Sequence, residues 1–444
     1  MGIIRKLLVV FSLLTAFVLS AQTAADTLFL DGNIFVKHIV NAGESLKSIA
    51  DLHKVKTADI IDNNELEKRL YYNQLLYIPI FWNNGENWSN PLDVSIQKQI
   101  ENSSKLKDTS VLNIALLMPY FLLKNDTMFN DFEDFTEIPN IYYNGSEVAL
   151  SFHVGVELAL DSLRKKGKNI CLHTFDTNKD TLKVSRIVNS KALENMDIII
   201  GPLYANNFRI LCEKYGDDTT KFLISPLSKN TKNVKRYKAV YQLSPSFQVQ
   251  TNIIKEYVLK NHKLDRVIVL NQKGSAGKSA YIKNLFQLQG KVVETFTVEY
   301  TNVESIREMF TEKQVVIVPS ENKAFVSKIL GAIGGMDSTS FVFGLYDWKK
   351  YDNLDIHNLM FLDVKFPDPY SFSNFSNHDI SFLNLFEKKY NTNQAKYTHI
   401  AYNIIMHFCF DFSLFDFQKL NGGGSINTIA PLHHYVDYVI SPVE

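Results

Sequence analysis

Cysteine, net charge and long hydrophobic segments are all scarce in this sequence of 444 residues. The three cysteines, Cys171, Cys212 and Cys409, include no CxxC pair, so they favour neither a disulfide scaffold nor a zinc site, and we expect buried free thiols. Lys and Arg together number 47, as do Asp and Glu, and no basic cluster is present. The chain therefore has no electrostatic field that would attract nucleic acid or an anionic membrane surface.

A nucleotide-binding phosphate loop is also missing, although the segment GSAGKS at residues 274–279 invites the comparison. A Walker loop places four residues between its first glycine and the Gly-Lys-Ser/Thr group. Gly274 lies only three residues before Gly277, so this turn is too short to encircle a phosphate. The expected structure is an ordinary turn from a strand into a helix.

The first residues, MGIIRKLLVVFSLLTAFVLSAQTAAD, have the pattern of a secretory signal peptide. Arg5 and Lys6 precede a mostly apolar run over residues 7–19, and Ser20 and Ala21 follow it. The run is too short to cross a bilayer, which needs about 20 apolar residues, and no cysteine follows it to accept a lipid. We predict a signal peptide over residues 1–21, cleavage near Ala21, and a periplasmic protein without stable membrane insertion. A retained anchor helix is the alternative.

Residues 36–80 have the pattern of a small β-α-α-β module. An alternating strand over residues 37–40 leads through a glycine turn into a helix with Leu46, Ile49 and Leu52 on one face. A second short helix over residues 57–63 and a closing strand, LLYIP, complete the pattern.

This module resembles a LysM domain. The matching positions are Val40, Gly43-Glu44-Ser45-Leu46, Ile49-Ala50, Val55, Asn63 and the segment NQLLYIP at residues 73–79. Glu44 stands where the family usually has Asp, and Asn73 where it usually has Gly. Neither departure is expected to break the fold, because Glu still places a carboxylate at the helix start and Asn tolerates left-handed backbone geometry.

The resemblance to LysM implies a shallow groove for the N-acetylglucosamine units of peptidoglycan. This groove would lie between the first strand-helix turn and the loop before the last strand. The implied glycan-binding residues are Ala42, Gly43, Glu44, Ser45, Leu46, Leu70, Tyr71, Tyr72, Asn73 and Gln74. Tyr71 and Tyr72 would offer flat apolar faces to sugar rings. A module that folds but binds no glycan is the alternative.

Beyond the module, residues 81–110 lose apolar periodicity and gain Asn, Ser, Gly and Lys, as a linker does. From residue 111 onward, apolar runs alternate with helical patterns. The predicted buried strands are residues 111–118, 169–175, 197–201, 222–225, 266–271, 292–298, 314–319, 340–344 and 359–364. Two consecutive sets of βα units predict an α/β fold with two doubly wound lobes.

The order of motifs over about residues 111–412 resembles the type I periplasmic solute-binding proteins, of the branched-chain amino acid receptor kind. The matching segments are IALLMP at 114–119, GVELALD at 155–161, IIIGPLYA at 198–205, LISPLS at 223–228, YQLSPS at 241–246 and RVIVLNQKGSAGKSAYIKNLF at 266–286. The resemblance implies a domain over residues 111–444. Lobe one would span about 111–241 and 366–420, and lobe two about 242–365 plus the C-terminal end.

In an open α/β sheet the ligand site lies beyond the carboxyl ends of the strands. The residues predicted to line this cleft are Tyr204, Ala205, Asn206, Ser228, Lys229, Ser244, Tyr346 and Asp347. In the amino acid receptors, small hydroxyl residues of the first two loops grip the ligand's carboxylate, and an acidic or aromatic residue of the second lobe meets its amine. Ala205, Leu227 and Lys229 stand where small hydroxyl donors are expected, so we expect no binding of free leucine-type amino acids.

Catalysis is not expected. A wall hydrolase would need a Cys-His pair at a strand-helix junction or clustered metal ligands. Cys409 and His407 are two residues apart in a helical run and face different sides, and His433-His434 lacks a partner motif. No cofactor or metal site is predicted.

The sequence thus predicts a non-enzymatic, cell-wall-associated protein that binds peptidoglycan through LysM. Its receptor-like domain would dock a partner, such as a wall-synthesis protein, or bind an unusual small ligand. The alternative is a solute receptor that captures an amino acid, peptide or muropeptide by lobe closure.

Overall fold

The structure is a computed structural model, and it describes residues 27–30, 33–64, 66, 70–72, 74–80, 111–130, 142–299, 306, 310, 314–335, 340–370, 376–410 and 414–443. These residues divide into two compact units, one within Met1–Ser146 and Leu160–Pro202, the other within Glu147–Ala159 and Leu203–Glu444. The predicted signal peptide and linker lie outside the described residues. The lobe boundaries given above stay a prediction.

The first unit is built on six hydrogen-bonded strands in the order β6-β4-β5-β1-β2-β3. These strands are β1 (Thr27–Leu30), β2 (Asn33–Ile39), β3 (Leu75–Ile80), β4 (Leu112–Met118), β5 (Ile170–Asp176) and β6 (Ile198–Ile200). The strands from β6 to β1 run parallel, whereas β1 to β3 pair antiparallel. The helices that begin in this unit are α1 (Leu46–His53), α2 (Thr57–Asn64), α3 (Leu122–Asn130) and, after α4, α5 (Thr181–Asn189). Helix α4 (Glu147–Lys165) contributes residues to both units.

Strand β2, helices α1 and α2, and strand β3 follow one another in the β-α-α-β order that the sequence predicts. Their common core consists of Val40, Ile49, Ala50, Ile60, Leu76 and Ile78. Ser45 caps α1, because its hydroxyl accepts the Ser48 N–H at 3.1 Å and the Ser48 hydroxyl accepts the Ser45 N–H at 2.8 Å. Leu52 was expected on the buried face of this helix and is instead 58% exposed, since Ala50 completes the inward face beside Ile49.

The second unit contains most of the remaining elements. Its helices are α6 (Ala205–Tyr215), α7 (Lys232–Arg236), α8 (Phe247–Asn261), α9 (Ala276–Gln287), α10 (Lys323–Gly334), α11 (Ile356–Phe361), α12 (Asn377–Tyr390) and α13 (Thr398–Phe410). Its strands are β7 (Phe222–Ser225), β8 (Val240–Gln242), β9 (Arg266–Gln272), β10 (Val293–Val298), β11 (Gln314–Ile317), β12 (Phe341–Phe343), β13 (Phe366–Pro367), β14 (Phe417–Lys419), β15 (Ser425–Asn427), β16 (Leu432–Val436) and β17 (Val439–Pro442).

Three groups of strands organise this second unit. Strands β9 to β12 form a parallel sheet in the order β10-β9-β11-β12. Strand β8 pairs in parallel with β7 and with β15, and β14 continues antiparallel from β15. Strands β13, β16 and β17 form a small antiparallel sheet.

Strands β9 and β11 of the four-stranded parallel sheet are buried on both faces, whereas β10 at the edge of the sheet, predicted as a buried strand over residues 292–298, is partly exposed. On β9, Ile268 and Leu270 join one hydrophobic cluster, with Trp348, while Val267 and Val269 join the cluster on the opposite face. Neighbouring residues of a strand point to opposite faces, so a strand covered on both sides must be apolar throughout. This confirms the prediction that the apolar runs at 266–271 and 314–319 form buried parallel strands.

The strand predicted over residues 359–364 is wrong, because α11 occupies Ile356–Phe361. The carboxylate of Asp355 accepts the His357 N–H at 2.9 Å and so caps the helix start. Leu359, Leu362 and Val364 are nonetheless buried. A short apolar run is compatible with either a strand or one turn of a packed helix, and its periodicity alone cannot decide.

Candidate functional site

The two loops predicted to bind glycan lie side by side in the β-α-α-β module. The N–H of Val40, which opens the first loop, donates to the carbonyl of Gln74 in the second at 2.9 Å. Gly43 turns the first loop with a φ of 87°, a left-handed conformation that side chains rarely adopt. The structure therefore brings together the predicted residues of both loops, except Asn73, which lies outside the described residues.

Glu44 organises the first loop from its carboxylate. One oxygen accepts the backbone N–H of Asn41 at 2.8 Å and lies 2.9 Å from the His38 ring, whose other nitrogen is 3.0 Å from His53. The Asn41 N–H, followed by the hydrogen bond to His38, lowers the pKa of Glu44 below its ordinary value. The Glu44 carboxylate thus holds the loop in shape.

The second loop presents aromatic rings to solvent. Tyr71 is 69% exposed and Tyr72 is 70% exposed. The backbone beneath them is fixed, because the Gln74 side chain accepts the Tyr71 N–H at 2.9 Å and the Gln74 N–H donates to the Tyr71 carbonyl at 3.0 Å. Rings of this exposure on a fixed turn suit stacking against a flat ligand.

The predicted cleft residues Lys229 and Asp347 meet directly. The Lys229 ammonium donates to a carboxylate oxygen of Asp347 and, at 2.7 Å, to Glu321. Lys229 follows β7, Glu321 follows β11 and Asp347 follows β12. Loops at the carboxyl ends of strands from two different sheets are therefore joined through one ammonium group.

Two further lysines complete this group of charges. Lys350 lies 3.0 Å from Asp347, and Lys278 of GSAGKS lies 3.3 Å from Glu321. Because β11 is flanked by β9 and β12 in the sheet, the segments that follow these three strands are neighbours at its carboxyl edge. We call Lys229, Asp347, Glu321, Lys278 and Lys350 the Lys229 cluster.

The protonation of the Lys229 cluster follows from its ion pairs. Burial alone would lower the pKa of Lys229, but hydrogen bonds and charges from Asp347 and Glu321 outweigh it and raise that pKa. Burial would likewise raise the pKa of each carboxyl group, yet the neighbouring ammonium groups hold both pKa values below their ordinary ones. The lysine and both acids are therefore charged at neutral pH.

Other predicted cleft residues are engaged in local structure. The Ser244 hydroxyl is buried 2.7 Å from the Tyr370 hydroxyl, which also donates to the carbonyl of Pro226. The buried Tyr346 donates its N–H to Gln250 at 2.9 Å. The Ser228 hydroxyl accepts the Asn230 N–H at 3.2 Å within its own turn. Each of these groups is therefore already hydrogen-bonded within the chain.

The predicted residues at the start of α6 are exposed, but one neighbour is not. Tyr204, Ala205 and Asn206 face solvent, and the Tyr204 side chain does not cap the helix. Asn207, at 1% exposure, has a side-chain nitrogen with no hydrogen-bond partner among the residues that the structure describes. A buried amide donor of this kind costs about 1–3 kcal/mol when left unpaired.

Comparison with known proteins places this geometry in a recognised fold. No model of a known protein family and no curated protein matches the chain by sequence. A structure described as a candidate branched-chain amino acid ABC transporter from Rhodospirillum rubrum has a TM-score of 0.57 at 10% identity, over 75% of this chain and 100% of its own. An ABC transporter substrate-binding protein from Desulfitobacterium hafniense, in complex with Leu, has a TM-score of 0.50 at 12% identity, over 75% and 100% of the two chains. The fold is of the type I periplasmic binding protein kind.

Another solved structure resembles this chain with a lower TM-score. The C-domain of LpoA from Haemophilus influenzae, described as a regulator of PBP1A, has a TM-score of 0.48 at 12% identity, over 75% of this chain and 100% of its own. Since one fold serves many functions, the type I periplasmic binding protein fold does not decide what this chain binds.

Sequence reasoning missed several residues that shape the site within this fold. Glu321 lies four residues after Ile317, the last residue of β11, and a polar residue in the loop at a strand's carboxyl end is a signal that could have found it. Asn64 links α2 to β3, because its side chain accepts the Tyr77 N–H at 2.6 Å and donates to the Tyr77 carbonyl at 2.7 Å. The sequence alone does not indicate which of the adjacent Asn63 and Asn64 makes this link.

Two kinds of site are not found in the part of the chain that the structure describes. None of its His, Cys, Asp and Glu side chains gather in threes as metal ligands. None of its helices combines the length and apolar character needed to cross a bilayer. Cys171 and Cys212 are buried, and Cys409 is partly buried.

Proposed function

We propose that this chain is an exported, non-enzymatic protein that binds peptidoglycan through a LysM module at residues 36–80. We further propose that its domain at residues 111–444 docks a protein partner, such as one of wall synthesis, or binds an unusual small ligand. The observation that carries the proposal is a contrast. The charged side chains of Lys229, Glu321 and Asp347 are bound to one another, whereas the rings of Tyr71 and Tyr72 in the module face solvent.

The proposal for the module is supported by its surface. Tyr71 and Tyr72 stand on a turn that backbone and side-chain hydrogen bonds fix in place beside the loop of Ala42 and Gly43. Binding would therefore require little ordering of the backbone. If a sugar covers about 50 Å² of each ring, apolar burial contributes about 1.2 kcal/mol per ring. Two rings would then account for a roughly 60-fold change in affinity.

The proposal for the larger domain is supported by the Lys229 cluster. A free amino acid would need a hydrogen-bonding clamp for its carboxylate, and Ala205 and Leu227 offer no side-chain donor. Its amine would compete for Asp347 with an ammonium that the chain itself supplies. Both features disfavour a receptor for leucine-type amino acids.

The decisive experiment for the module measures retention of the full-length protein on purified sacculi. We expect the double substitution Tyr71→Ala with Tyr72→Ala to weaken retention about 60-fold while leaving the circular dichroism spectrum unchanged, because both rings are exposed. The matched control is Tyr142→Ala, which removes a ring that is 40% exposed and lies outside the module. Equal retention of the double variant and the control would reject the proposed glycan site.

A second candidate function, capture of a solute by lobe closure, is favoured by Asn207. Its unpaired amide donor follows the exposed residues Tyr204 to Asn206 and could donate to an oxygen of a ligand. Titration calorimetry with leucine, other amino acids and muropeptides separates the two candidates. Muropeptide binding that is lost in Asn207→Ala supports the receptor. No heat of binding with any of these ligands supports the docking domain. Micromolar binding of leucine contradicts our inference that the cleft lacks a clamp for an amino acid carboxylate.

A further inference from the structure

Two carboxylates in the Lys229 cluster converge on a single nitrogen. The Lys229 ammonium contacts Asp347, and it lies 2.7 Å from Glu321. The two acids stand on different loops, after β12 and after β11, and Lys229 reaches them from the loop after β7. The Lys229 side chain is 30% exposed, whereas that of Asp347 is only 15% exposed. The ammonium therefore fills a partly buried position between two anionic groups.

The surroundings show that this position is built for one cation. The second oxygen of Asp347 is used by Lys350 and the second oxygen of Glu321 by Lys278. The Glu321 backbone is also held, since its carbonyl accepts the Tyr351 hydroxyl at 2.7 Å. Without Lys229, each carboxylate would keep its other lysine, and the two inner oxygens would lose the ammonium that they share. A carboxylate oxygen that has lost a charged donor can accept another one, because hydrogen bonds between charged groups are stronger than those between neutral groups.

We propose that Lys229 determines what the candidate cleft can bind, because its ammonium occupies a two-carboxylate position that would otherwise accept a ligand's primary amine. A tethered group acts at an effective concentration in the millimolar range or higher, so it outcompetes a weakly bound free amine. Removal of this one side chain converts the cleft into a site for small primary amines. The inference rests on the proposed function in taking these loops as the cleft.

Substitutions of Lys229 and Lys350 separate the effect of the position between the two carboxylates from the effect of losing one positive charge. Lys229→Ala empties the position between the carboxylates. Lys350→Ala also removes one positive charge that contacts Asp347, but Lys350 lies three residues after Asp347 in the same segment. This variant leaves Lys229 between the two carboxylates. Lys229→Arg keeps a cation at the position. If Lys229→Ala fails to fold, Lys229→Met keeps most of the apolar stem and lacks the charge.

The experiment follows the thermal unfolding of the full-length variants in ethylammonium chloride and in sodium chloride of the same concentration. We expect the midpoint of Lys229→Ala to rise by about 2 °C more in ethylammonium than in sodium at about ten times the dissociation constant. The wild type, Lys229→Arg and Lys350→Ala should respond equally to the two salts. Equal responses of Lys229→Ala, or an ethylammonium response of the wild type, would overturn the inference.

The same variants separate this inference from the proposed function. Lys229 lies outside the module, so retention of Lys229→Ala on sacculi should equal that of the wild type. An absent amine response with normal retention defeats only the inference. If the Tyr71→Ala and Tyr72→Ala double variant is retained as well as the Tyr142→Ala control while Lys229→Ala shows the expected amine response, the proposed glycan site is rejected and the inference stands.

Discussion

The β-α-α-β module and the Lys229 cluster handle their polar and aromatic side chains in opposite ways. In the module, the loop bearing Tyr71 and Tyr72 uses its backbone and Gln74 to hold itself together, which leaves the rings exposed. In the cluster, the side chains themselves close the hydrogen bonds and ion pairs. A ligand of the module can add contacts at once, whereas a ligand of the cluster must first displace an existing one.

The module and the larger domain also require glycine for different reasons. Gly43 in the module adopts a φ of 87°, and a Cβ added there would meet no atom within 4 Å. Gly155 in α4 has an ordinary φ, but a Cβ added there would overlap the carbonyl oxygen of Thr398 and lie 2.9 Å from the Ala401 Cβ. Backbone conformation demands the first glycine, and close packing demands the second.

The largest effect is expected from Gly155→Val, which tests the packing of the larger domain. The new side chain must displace α13, so we expect a loss of about 3 kcal/mol or more in the free energy of unfolding. The measurement is urea denaturation followed by circular dichroism. Gly277→Ala is the matched control, since its Cβ would meet no atom within 4 Å. Similar stability of the two variants would show that α4 and α13 are not in close contact.

A smaller effect is expected from Gly43→Val, which tests the backbone of the module. A branched residue forced to a positive φ costs about 1–2 kcal/mol. We expect weakened retention on sacculi, because the loop beside Tyr71 would change shape, and little change in the unfolding of the larger domain. Retention equal to that of the wild type would mean that the conformation of this turn does not matter for binding.

These regions also show how far the sequence predicts the molecule. Elements with a strong apolar pattern are predicted well, such as β9, where Val267, Ile268, Val269 and Leu270 of the predicted strand at 266–271 are all buried. The short run at residues 359–364 was mistaken for a strand, because its apolar residues suit either structure. Long, regular patterns reflect a whole buried face, and short ones do not.

The site was harder to predict because its contacts are distant in the sequence. Lys229 and Asp347 were both expected at the cleft, but 118 residues separate them, and their ion pair depends on how two sheets are placed. Lys278 and Glu321 were not expected there at all, and 43 residues separate them. The sequence identifies which loops follow which strands, whereas the pairing of their side chains requires the tertiary structure.

An effect smaller than that of Gly43→Val is expected from the pH dependence of the Lys229 cluster. The pKa of Asp347 is lowered in the folded chain, so its contribution to stability is present above the unfolded pKa, near 4, and is lost as the pH falls through the lower folded value. The pKa of Lys229 is raised, so its contribution is present below about pH 10 and is lost as the pH rises through the higher folded value. A plateau between about pH 5 and 9 follows.

Asp347→Asn should therefore lower stability on this plateau and flatten the acid limb of the stability curve. Urea midpoints at pH 3, 5 and 7 measure both effects. Asp352→Asn is the control, because Asp352 is 84% exposed in its ion pair with Lys323 and surface pairs contribute little. An unchanged acid limb in Asp347→Asn would show that the cluster does not contribute to folding stability.

The smallest effect is expected from Lys278→Ala, which tests the outermost contact of the cluster. Its ion pair with Glu321 is 3.3 Å long between side chains that are 33% and 44% exposed, so we expect the free energy of unfolding to fall by less than about 0.5 kcal/mol.

The same lysine belongs to GSAGKS, and a nucleotide site there would respond differently to the substitution. A site that binds ATP would gain about 2.7 kcal/mol at 100 times its dissociation constant. We expect no such stabilisation, since the lysine is turned to a carboxylate and the loop is too short to enclose a phosphate. Thermal unfolding of wild type and Lys278→Ala with and without magnesium and ATP makes the measurement. A magnesium-dependent rise that the substitution removes would make GSAGKS a binding loop, and the Glu321 contact would then be one that the nucleotide displaces.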